Sequence, residues 1–443
     1  MFELDTGTQM LILFGVLLVI RVPVAFSLGL SSLFAMWQMG FGLDLVGDLL
    51  SSGITKFSLL AIPFFILAGI LMGTAGMADR MIRFFRVLMG SLPGGMGLVG
   101  VVVSLFWGAV SGSGPASVAA IGPMIIRGME EDGYPRAFAA AMVCTGAALS
   151  IVIPPSIGLV IYGVIAEVSI GDLFIAAILP GALMGALMLI ALPLVSRQRT
   201  VAKLSNLAQL APMPYGDRPF VVRLWLSFRD AVWGLLTPVV ILGGIYAGIF
   251  TPTEAAVVAV VYALFVGFFV YRSLSFSTLF DALNDAAASS AVVMLVVTFA
   301  SLFGWVVTVD DVVGRYSEGL LALSSSPWTI MLVMAVILLM VLIAGMFMDA
   351  VTIMFISLPI FLPVVRELGW DPVWFGVFLM INLAIGLFTP PVGINLFVAA
   401  NIAKLSLERI AAAALPFLVT SVIGLAIVAL WPELTSYLLI WMQ

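Results

Sequence analysis

The sequence predicts an all-α, polytopic membrane protein, and its composition and charge distribution lead to this fold class. Of the 443 residues, 63% are hydrophobic and only 9% are charged, and the mean hydropathy is +1.25. Soluble domains carry about 25% charged residues, so a soluble globular fold is excluded. The charges are clustered and leave uncharged stretches such as residues 286–309 and 410–432. Each stretch is long enough for a spanning helix of about 20 residues, and we expect about 11 to 12 transmembrane helices.

Several classes of function are excluded by residues that the chain lacks. It contains no histidine, which excludes a histidine-ligated metal or haem site, a serine–histidine hydrolase and a histidine proton relay. Its single cysteine, Cys144, excludes disulfides within the chain and multi-cysteine metal clusters. The Gly-x4-Gly-Lys-Ser/Thr motif of an ATP-driven pump is not found. We therefore predict that the protein is not an enzyme and has no nucleic-acid partner.

The distribution of charge predicts how the chain is oriented in its membrane. The N-terminus lacks the basic segment and cleavage site of a signal peptide, so we expect the first span to be retained. Basic residues gather at residues 80–86 and again at 197–229, and the positive-inside rule places both regions in the cytoplasm. The N-terminus is then predicted to be periplasmic. The acidic residues expected on that outer side are Glu3, Asp5, Asp310, Asp311 and Glu318.

The two halves of the chain share a pattern of prolines and glycines. Residues of the first half recur 236 positions later, and the pairs are Pro123 with Pro359, Gly133 with Gly369, Pro154–Pro155 with Pro390–Pro391, and Pro180 with Pro416. We therefore predict two related repeats of inverted topology, residues 1–196 and 230–443, joined by a cytoplasmic linker at 197–229. Such repeats are typical of secondary transporters, whose substrate and ion sites lie at the repeat interface.

Each half is predicted to contain a re-entrant helical hairpin and a broken helix. Residues 87–126 are uncharged, and about 40 helical residues would be roughly twice as long as the ~30 Å hydrocarbon core. The chain must therefore turn back, and the polar segment near 108–117 is the predicted tip. The corresponding tip of the second half lies near 345–352. The proline pairs interrupt a further helix in each half, and irregular backbone at this depth must be buried in protein or line a cavity.

The serines at these breaks have a functional and a structural interpretation. Ser111, Ser113 and Ser156 are accompanied by glycine-rich backbone, and together they offer the several oxygen ligands that suit a hard cation such as Na⁺. The alternative is a helix-packing segment, because small residues serve that purpose in membranes.

Two carboxylates also lie in apolar surroundings. Asp349 stands alone between residues 319 and 365, where an ionised carboxylate costs about 2.5–3.5 kcal/mol. It should therefore face a partner or a cavity, unless it is solvated near an interface. Glu254 has apolar neighbours on both sides, and its alternative role is that of a helix N-cap residue with Thr251 or Thr253.

Six sequence segments carry a family resemblance, and they follow one another in order over most of the chain. They are Ala61–Gly69 (AIPFFILAG), Ser111–Gly122 (SGSGPASVAAIG), Ile153–Ser156 (IPPS), Pro180–Gly181, Gly248–Ala256 (GIFTPTEAA) and Thr389–Asn395 (TPPVGIN). This ordered set resembles the large membrane subunit, of the DctM type, of tripartite ATP-independent periplasmic (TRAP) transporters. One departure is Ser117, since many members have an acidic residue there.

The resemblance implies a Na⁺-coupled importer of small organic acids (carboxylates) with an elevator-type mechanism. A transport domain that holds both hairpins would move against a static scaffold. The implied partners are a small membrane subunit of the DctQ type and a periplasmic substrate-binding protein of the DctP type. The alternative is a stand-alone ion or proton antiporter of the same broad superfamily, which would be active without a binding protein.

The same resemblance, with the residue arguments above, identifies the candidate site residues. The predicted Na⁺ ligands are Ser111, Ser113, Ser156, Asp349, Thr352, Thr389, Gly393 and Asn395. The predicted substrate contacts are Ser169, Glu254 and Asp349.

Overall fold

The part of the chain that the structure describes consists of helices and short connecting segments. The computed structural model describes residues 5–92, 94–196, 214–216, 218–312, 314 and 327–442, and within these ranges it contains no β-strand. The predicted all-α class is therefore confirmed. Glu3, Glu318 and most of the predicted linker, residues 197–213 and 217, lie outside the described residues.

Nineteen α-helices occur in the described ranges. They are α1 (Thr6–Val19), α2 (Val24–Gln38), α3 (Leu43–Ile54), α4 (Ala61–Thr74), α5 (Met77–Met89), α6 (Gly95–Ser111), α7 (Gly114–Glu131), α8 (Arg136–Ala148), α9 (Ile157–Ala166), α10 (Ile170–Ser196), α11 (Phe220–Tyr246), α12 (Pro252–Phe265), α13 (Phe276–Val309), α14 (Pro327–Phe347), α15 (Ala350–Glu367), α16 (Pro372–Gly386), α17 (Ile394–Ala403), α18 (Leu407–Leu430) and α19 (Glu433–Met442).

Seven helical segments of the described chain are long and apolar enough to cross a bilayer. They are Phe57–Thr74, Ile170–Leu192, Phe220–Tyr246, Pro252–Val270, Phe276–Val309, Ala350–Glu367 and Leu407–Leu430. The protein is thus a multi-pass membrane protein, as its composition predicted. Shorter apolar helices such as α6, α8 and α9 adjoin the tips and breaks, where the backbone changes direction.

Helix boundaries recur between the halves with the spacing of the prolines. α7 and α15 each contain 18 residues, and their first residues, Gly114 and Ala350, are 236 positions apart. The same spacing separates the first residues of α8 and α16, and α9 and α17 begin 237 positions apart. Each half therefore presents a hairpin, an interrupted helix and a long helix in the same order.

The centre of the molecule is formed by the interrupted helices. α8 buries every residue from Phe138 to Ala148, and α16 buries every residue from Trp374 to Gly386. The halves also exchange contacts, because α17 packs against α7 and α8, whereas α9 packs against α15. The helix that follows each break is thus supported by the hairpin of the other half.

Most basic side chains lie at one end of the molecule, which we call the basic end. Its loops are joined by hydrogen bonds: Ser273 Oγ donates to the Ala75 carbonyl at 3.0 Å, and Arg136 Nε donates to the Ala403 carbonyl at 2.8 Å. The cationic residues assigned to this end are Arg80, Arg83, Arg86, Arg127, Arg136, Arg218, Arg223, Arg229, Arg272 and Lys404.

The N-terminal helix begins at the opposite end. The Gly7 backbone N–H donates to Asp310 Oδ2 at 2.8 Å, which joins the start of α1 to the end of α13. Lys56 Nζ donates to the Val164 carbonyl at 3.4 Å and joins the segment before α4 to the end of α9. The residues expected on the outer side, as far as they are described, therefore lie away from the basic end.

Candidate functional site

The two hairpin tips line one cavity of about 720 Å³. The first tip, between α6 and α7, contributes residues 111–116, and the second, between α14 and α15, contributes residues 349–351. α4 and α13 form the opposite wall, which includes Thr74 and Ser289. Because Thr74 directly precedes the Ala75 loop, the cavity extends toward the basic end.

The first tip is built from a glycine and a serine. Gly112 ends α6 with a φ of +62°, and Ser113 begins α7 as an N-cap residue with extended backbone. A Cβ added at Gly112 would lie 3.3 Å from the backbone nitrogen of Ile157, so a glycine is needed for its conformation and for its approach to α9. Ser111 Oγ donates to the Ser113 carbonyl at 3.3 Å. The Ser113 side chain makes no capping bond and lies at the cavity wall.

The second tip is closed by a carboxylate. Asp349 is the N-cap residue of α15, and its side chain accepts from the Thr352 backbone N–H at 3.1 Å and from Thr352 Oγ1 at 2.6 Å. Asp349 also lines the cavity. It therefore stabilises a helix start, as acidic residues do at this position, and it presents a negative charge to the space between the tips.

At the breaks, the predicted hydroxyl ligands are engaged with backbone groups. Ser156 Oγ donates to the Ile151 carbonyl at 2.6 Å and accepts from the Leu159 N–H at 3.4 Å. Thr389 Oγ1 donates to the Ile385 carbonyl at 2.6 Å. Both hydroxyl groups are hydrogen-bonded to nearby backbone groups. Each oxygen still has a lone pair that could accept a ligand.

Two further predicted residues connect the second break to its surroundings. The Gly393 N–H donates to the Met346 carbonyl at 3.0 Å, and Gly393 has a φ of +56°. The second break is thereby attached to α14, the helix that leads into the tip of its own hairpin.

Asn395 connects the second break to the first half. Its Nδ2 donates to the Cys144 carbonyl at 3.0 Å. Its Oδ1 is buried without a hydrogen-bond partner, and a Cβ added at Gly114 would lie 2.9 Å from that oxygen. A buried acceptor left without a partner costs about 1–3 kcal/mol. This oxygen, beside the start of α7, is therefore a candidate cation ligand.

Ser169 and Glu254 are not brought to the cavity between the tips. Ser169 Oγ accepts from the Asp172 N–H at 3.2 Å at the start of α10. Glu254 forms a capping box, since its Oε2 accepts from the Thr251 N–H at 2.8 Å and the Thr251 hydroxyl caps the Glu254 N–H. Ser169 and Thr251 line a second cavity of about 660 Å³ near Lys56. The capping role that the sequence offered for Glu254 is the one its geometry shows.

Two residues that line the cavity are not identified by the sequence patterns. Trp107 lies one turn before Ser111 and lines the cavity, and its Nε1 is buried with no partner. Ser289 comes from α13, far away in sequence. In the sequence, Trp107 is a tryptophan within the uncharged stretch 87–126, and Ser289 is one of two adjacent serines within an apolar segment. Neither pattern is specific for a cavity-lining residue.

Comparisons with known proteins agree on one family. The profile of the family described as "Tripartite ATP-independent periplasmic transporter, DctM component" matches residues 11–434. A C4-dicarboxylate TRAP transporter large permease protein DctM from Pseudomonas aeruginosa is 41% identical over 87% of this chain and 87% of its own length. An isethionate TRAP transporter permease protein DctMQ from Oleidesulfovibrio alaskensis is 39% identical over 96% of this chain. This chain spans 65% of the DctMQ protein.

A solved structure shares the fold. The YdaH transporter of Alcanivorax borkumensis superposes with a TM-score of 0.63 at 15% sequence identity, covering 88% of this chain and 89% of that one. At this identity the similarity concerns the architecture alone.

Proposed function

Because the chain belongs to the DctM component family of tripartite ATP-independent periplasmic transporters, we propose that it imports a small organic acid across the inner membrane, driven by Na⁺. It is the large permease subunit, a transporter component and not an enzyme. The observation that carries the coupling proposal is the pair of hairpin tips on one cavity, one of which carries the carboxylate of Asp349.

The chemistry of this cavity favours an alkali cation as the coupling ion. The candidate ligands at the cavity wall are oxygens, the Asp349 carboxylate and the Ser113 hydroxyl. The unpartnered Asn395 Oδ1 lies behind the wall, beside Gly114. Groups of three or more His, Cys, Asp or Glu that could hold a metal do not occur among the described residues. A site with a single carboxylate and neutral oxygens suits a monovalent hard cation that must also be released.

The charge of Asp349 also sets an order of binding. The substrates named for the relatives, a C4-dicarboxylate and isethionate, are organic anions. An anion that approaches Asp349 is repelled until a cation neutralises the carboxylate. Na⁺ therefore loads before the organic acid, and the charge moved inward by Na⁺ is driven by the membrane potential at about 2.3 kcal/mol per elementary charge per 100 mV.

The orientation follows from the basic end. Loops rich in arginine remain in the cytoplasm, so the basic end is cytoplasmic and the N-terminus is periplasmic. The cavity extends from the tips toward Thr74 at this end, and this supports our proposal of an inward-facing state. In an elevator mechanism the hairpins and the interrupted helices would move together against α4 and α13.

The proposed partners are a small membrane subunit of the DctQ type and a periplasmic binding protein of the DctP type. The Oleidesulfovibrio relative supports the first, since its name joins M and Q and this chain spans only 65% of it. The binding protein would deliver the substrate to the periplasmic end.

Reconstitution tests this function against the antiporter alternative. The full chain is placed in proteoliposomes alone, with the small subunit, and with both partners, and uptake of labelled C4-dicarboxylate and isethionate is measured with and without an inward Na⁺ gradient. We expect uptake only with both partners and only with Na⁺. Na⁺ or H⁺ exchange by the chain alone would favour the antiporter, and tripartite uptake that persists in Na⁺-free medium would contradict the coupling.

A further inference from the structure

Two arginines at the basic end have guanidinium nitrogens without partners. Within the described ranges, ion pairs are formed by Arg127 with Glu131 and by Arg136 with Glu130. Arg83 on α5 and Arg223 on α11 take part in neither pair. The Nε atom of each is buried and has no hydrogen-bond partner in the part of the chain described. A donor withdrawn from water without a partner is costly, so these two groups call for an external acceptor.

Both arginines belong to helices that pack against each other. A Cβ added at Gly234 of α11 would lie 3.3 Å from Met81 Sδ of α5, and the rings of Phe84 and Phe228 are 5.8 Å apart. Arg223 precedes Gly234 by 11 residues, about three turns, and therefore lies on the α5-facing side of α11. Arg83 directly precedes Phe84 and lies within electrostatic range of Tyr215 and Tyr271, whose hydroxyl groups donate to Asp230 of α11. Each helix therefore carries one unsatisfied guanidinium donor close to this packed pair.

Neighbouring polar groups at this interface are already used. Tyr215 Oη donates to Asp230 Oδ2 at 2.6 Å, and Tyr271 Oη donates to the Asp230 carbonyl at 2.6 Å. Arg80 stacks on the Tyr271 ring at 3.7 Å and donates to the Gly76 carbonyl at 2.9 Å. Arg80 therefore has a structural role, and the side chain and the carbonyl of Asp230 each already accept a hydrogen bond from a tyrosine hydroxyl. Unlike Arg80, neither Arg83 nor Arg223 has a hydrogen-bond acceptor for its Nε atom in the described part of the chain.

The surface beside these arginines is apolar and exposed. Val221 and Trp225 of α11 are 74% and 64% exposed, and Leu88 and Leu92 at the end of α5 are also exposed. In a bilayer, guanidinium groups next to such a surface are expected at the depth of the lipid headgroups, with the apolar side chains facing the acyl chains.

We propose that Arg83 and Arg223 form a binding site for the phosphate of an anionic phospholipid in the leaflet at the basic end. A phosphodiester supplies several acceptor oxygens and a negative charge, and it suits the planar donors of arginine. Basic pockets between membrane helices on the cytoplasmic side are a known means of holding anionic headgroups. The lipid would stabilise the α5–α11 contact, which belongs to the part of the molecule next to the cavity wall of α4.

The test uses native mass spectrometry of the purified full chain titrated with dioleoylphosphatidylglycerol or dioleoylphosphatidylcholine. We expect tighter binding of phosphatidylglycerol, and a loss of about 30-fold in that affinity in the Arg83→Gln/Arg223→Gln double variant, or about fivefold for each arginine. The matched control is Arg229→Gln, an exposed arginine on the same helix, which should change the affinity by less than about twofold. Unchanged thermal unfolding in lipid-free detergent shows that the double variant is folded, and the double Lys variant should regain part of the affinity.

Four results would overturn the site. Equal phosphatidylglycerol affinity in the wild type and the double Gln variant would show that neither arginine binds the headgroup, as would an equal loss in Arg229→Gln. Displacement of the lipid by inorganic phosphate at similar concentration would identify a free-anion site. Displacement by the co-purified small subunit would assign the two arginines to that protein partner.

Discussion

The two hairpin tips occupy equivalent places in the halves but differ in chemistry. Ser113 and Asp349 are 236 positions apart, and each is the N-cap residue of an 18-residue helix. Asp349 is held by two hydrogen bonds from Thr352, whereas the Ser113 side chain makes no capping bond. A related backbone thus carries a fixed carboxylate in one half and an uncommitted hydroxyl in the other.

The helices that follow the breaks show a second difference. Asn395 donates to the Cys144 carbonyl and keeps a free Oδ1. At the matching place in the first half, a Cβ added at Gly158 would lie 2.8 Å from Met380 Sδ, so the methionine occupies the space that a side chain would need. Both the carboxylate and the buried amide therefore come from the second half. The comparison teaches that matched helix boundaries need not carry equivalent side chains, and that the second half supplies the stronger candidate ligands of the proposed cation site.

The largest expected effect comes from removing the charge of the second tip. Asp349→Asn should lower Na⁺-driven uptake by about 10- to 100-fold, because an interaction with a charged group contributes about 1.5–3 kcal/mol. Asparagine remains a good N-cap residue, so insertion and folding should persist. Uptake is measured in proteoliposomes with both partners, and thermal unfolding serves as the control. Wild-type uptake with the same Na⁺ dependence would reduce Asp349 to a helix cap.

The next effect concerns packing that both halves share. A Cβ at Gly386 would lie 2.7 Å from the Gly345 Cα, and one at Gly108 would lie 3.0 Å from the Ser150 Cα. Gly386→Ala should therefore destabilise the protein by about 1–3 kcal/mol, since backbone must move apart. Gly243→Ala is the control, because its Cβ meets nothing within 4 Å, and it should stabilise its helix by about 0.5–1 kcal/mol. Thermal unfolding of both variants in detergent checks this, and equal melting temperatures would show that the α14–α16 contact can relax.

The serines of the first half should give smaller effects that separate ion binding from stability. Ser113→Ala should raise the Na⁺ concentration for half-maximal uptake about two- to fivefold and leave unfolding unchanged, since the hydroxyl has no structural bond to lose. Ser156→Ala should also raise it, and should cost about 1 kcal/mol of stability because it removes an N-cap. If neither variant alters the Na⁺ dependence, the first tip is a packing element.

The position of the first tip could be predicted from the sequence because the uncharged run is too long to cross the hydrocarbon core once, and the second tip then followed from the 236-residue spacing. An uncharged run of about 40 residues cannot span ~30 Å once, and its glycines and serines are the only suitable turn; the structure interrupts the helix at Gly112–Ser113. The contact between Asn395 and Cys144 could not be predicted, since 251 residues separate them and no local pattern reports it. Trp107 escaped for a similar reason, because apolar helices have no periodicity to show which face meets a cavity.

The smallest effect is expected from Glu254, which the family resemblance and its apolar surroundings offered as a substrate contact. Its carboxylate is committed to the Thr251 N–H and hydroxyl in a capping box beside the second cavity, away from both tips. Glutamine satisfies the same box, so Glu254→Gln should leave uptake, its substrate dependence and thermal unfolding within experimental error of the wild type. The measurement is the concentration dependence of uptake in the same proteoliposomes that are used for Asp349→Asn. A higher substrate concentration for half-maximal uptake, with normal Na⁺ dependence, would contradict this expectation. It would indicate that the substrate binds at the cavity lined by Ser169 and Thr251 on its way through the protein, and that recognition is not confined to the space between the tips.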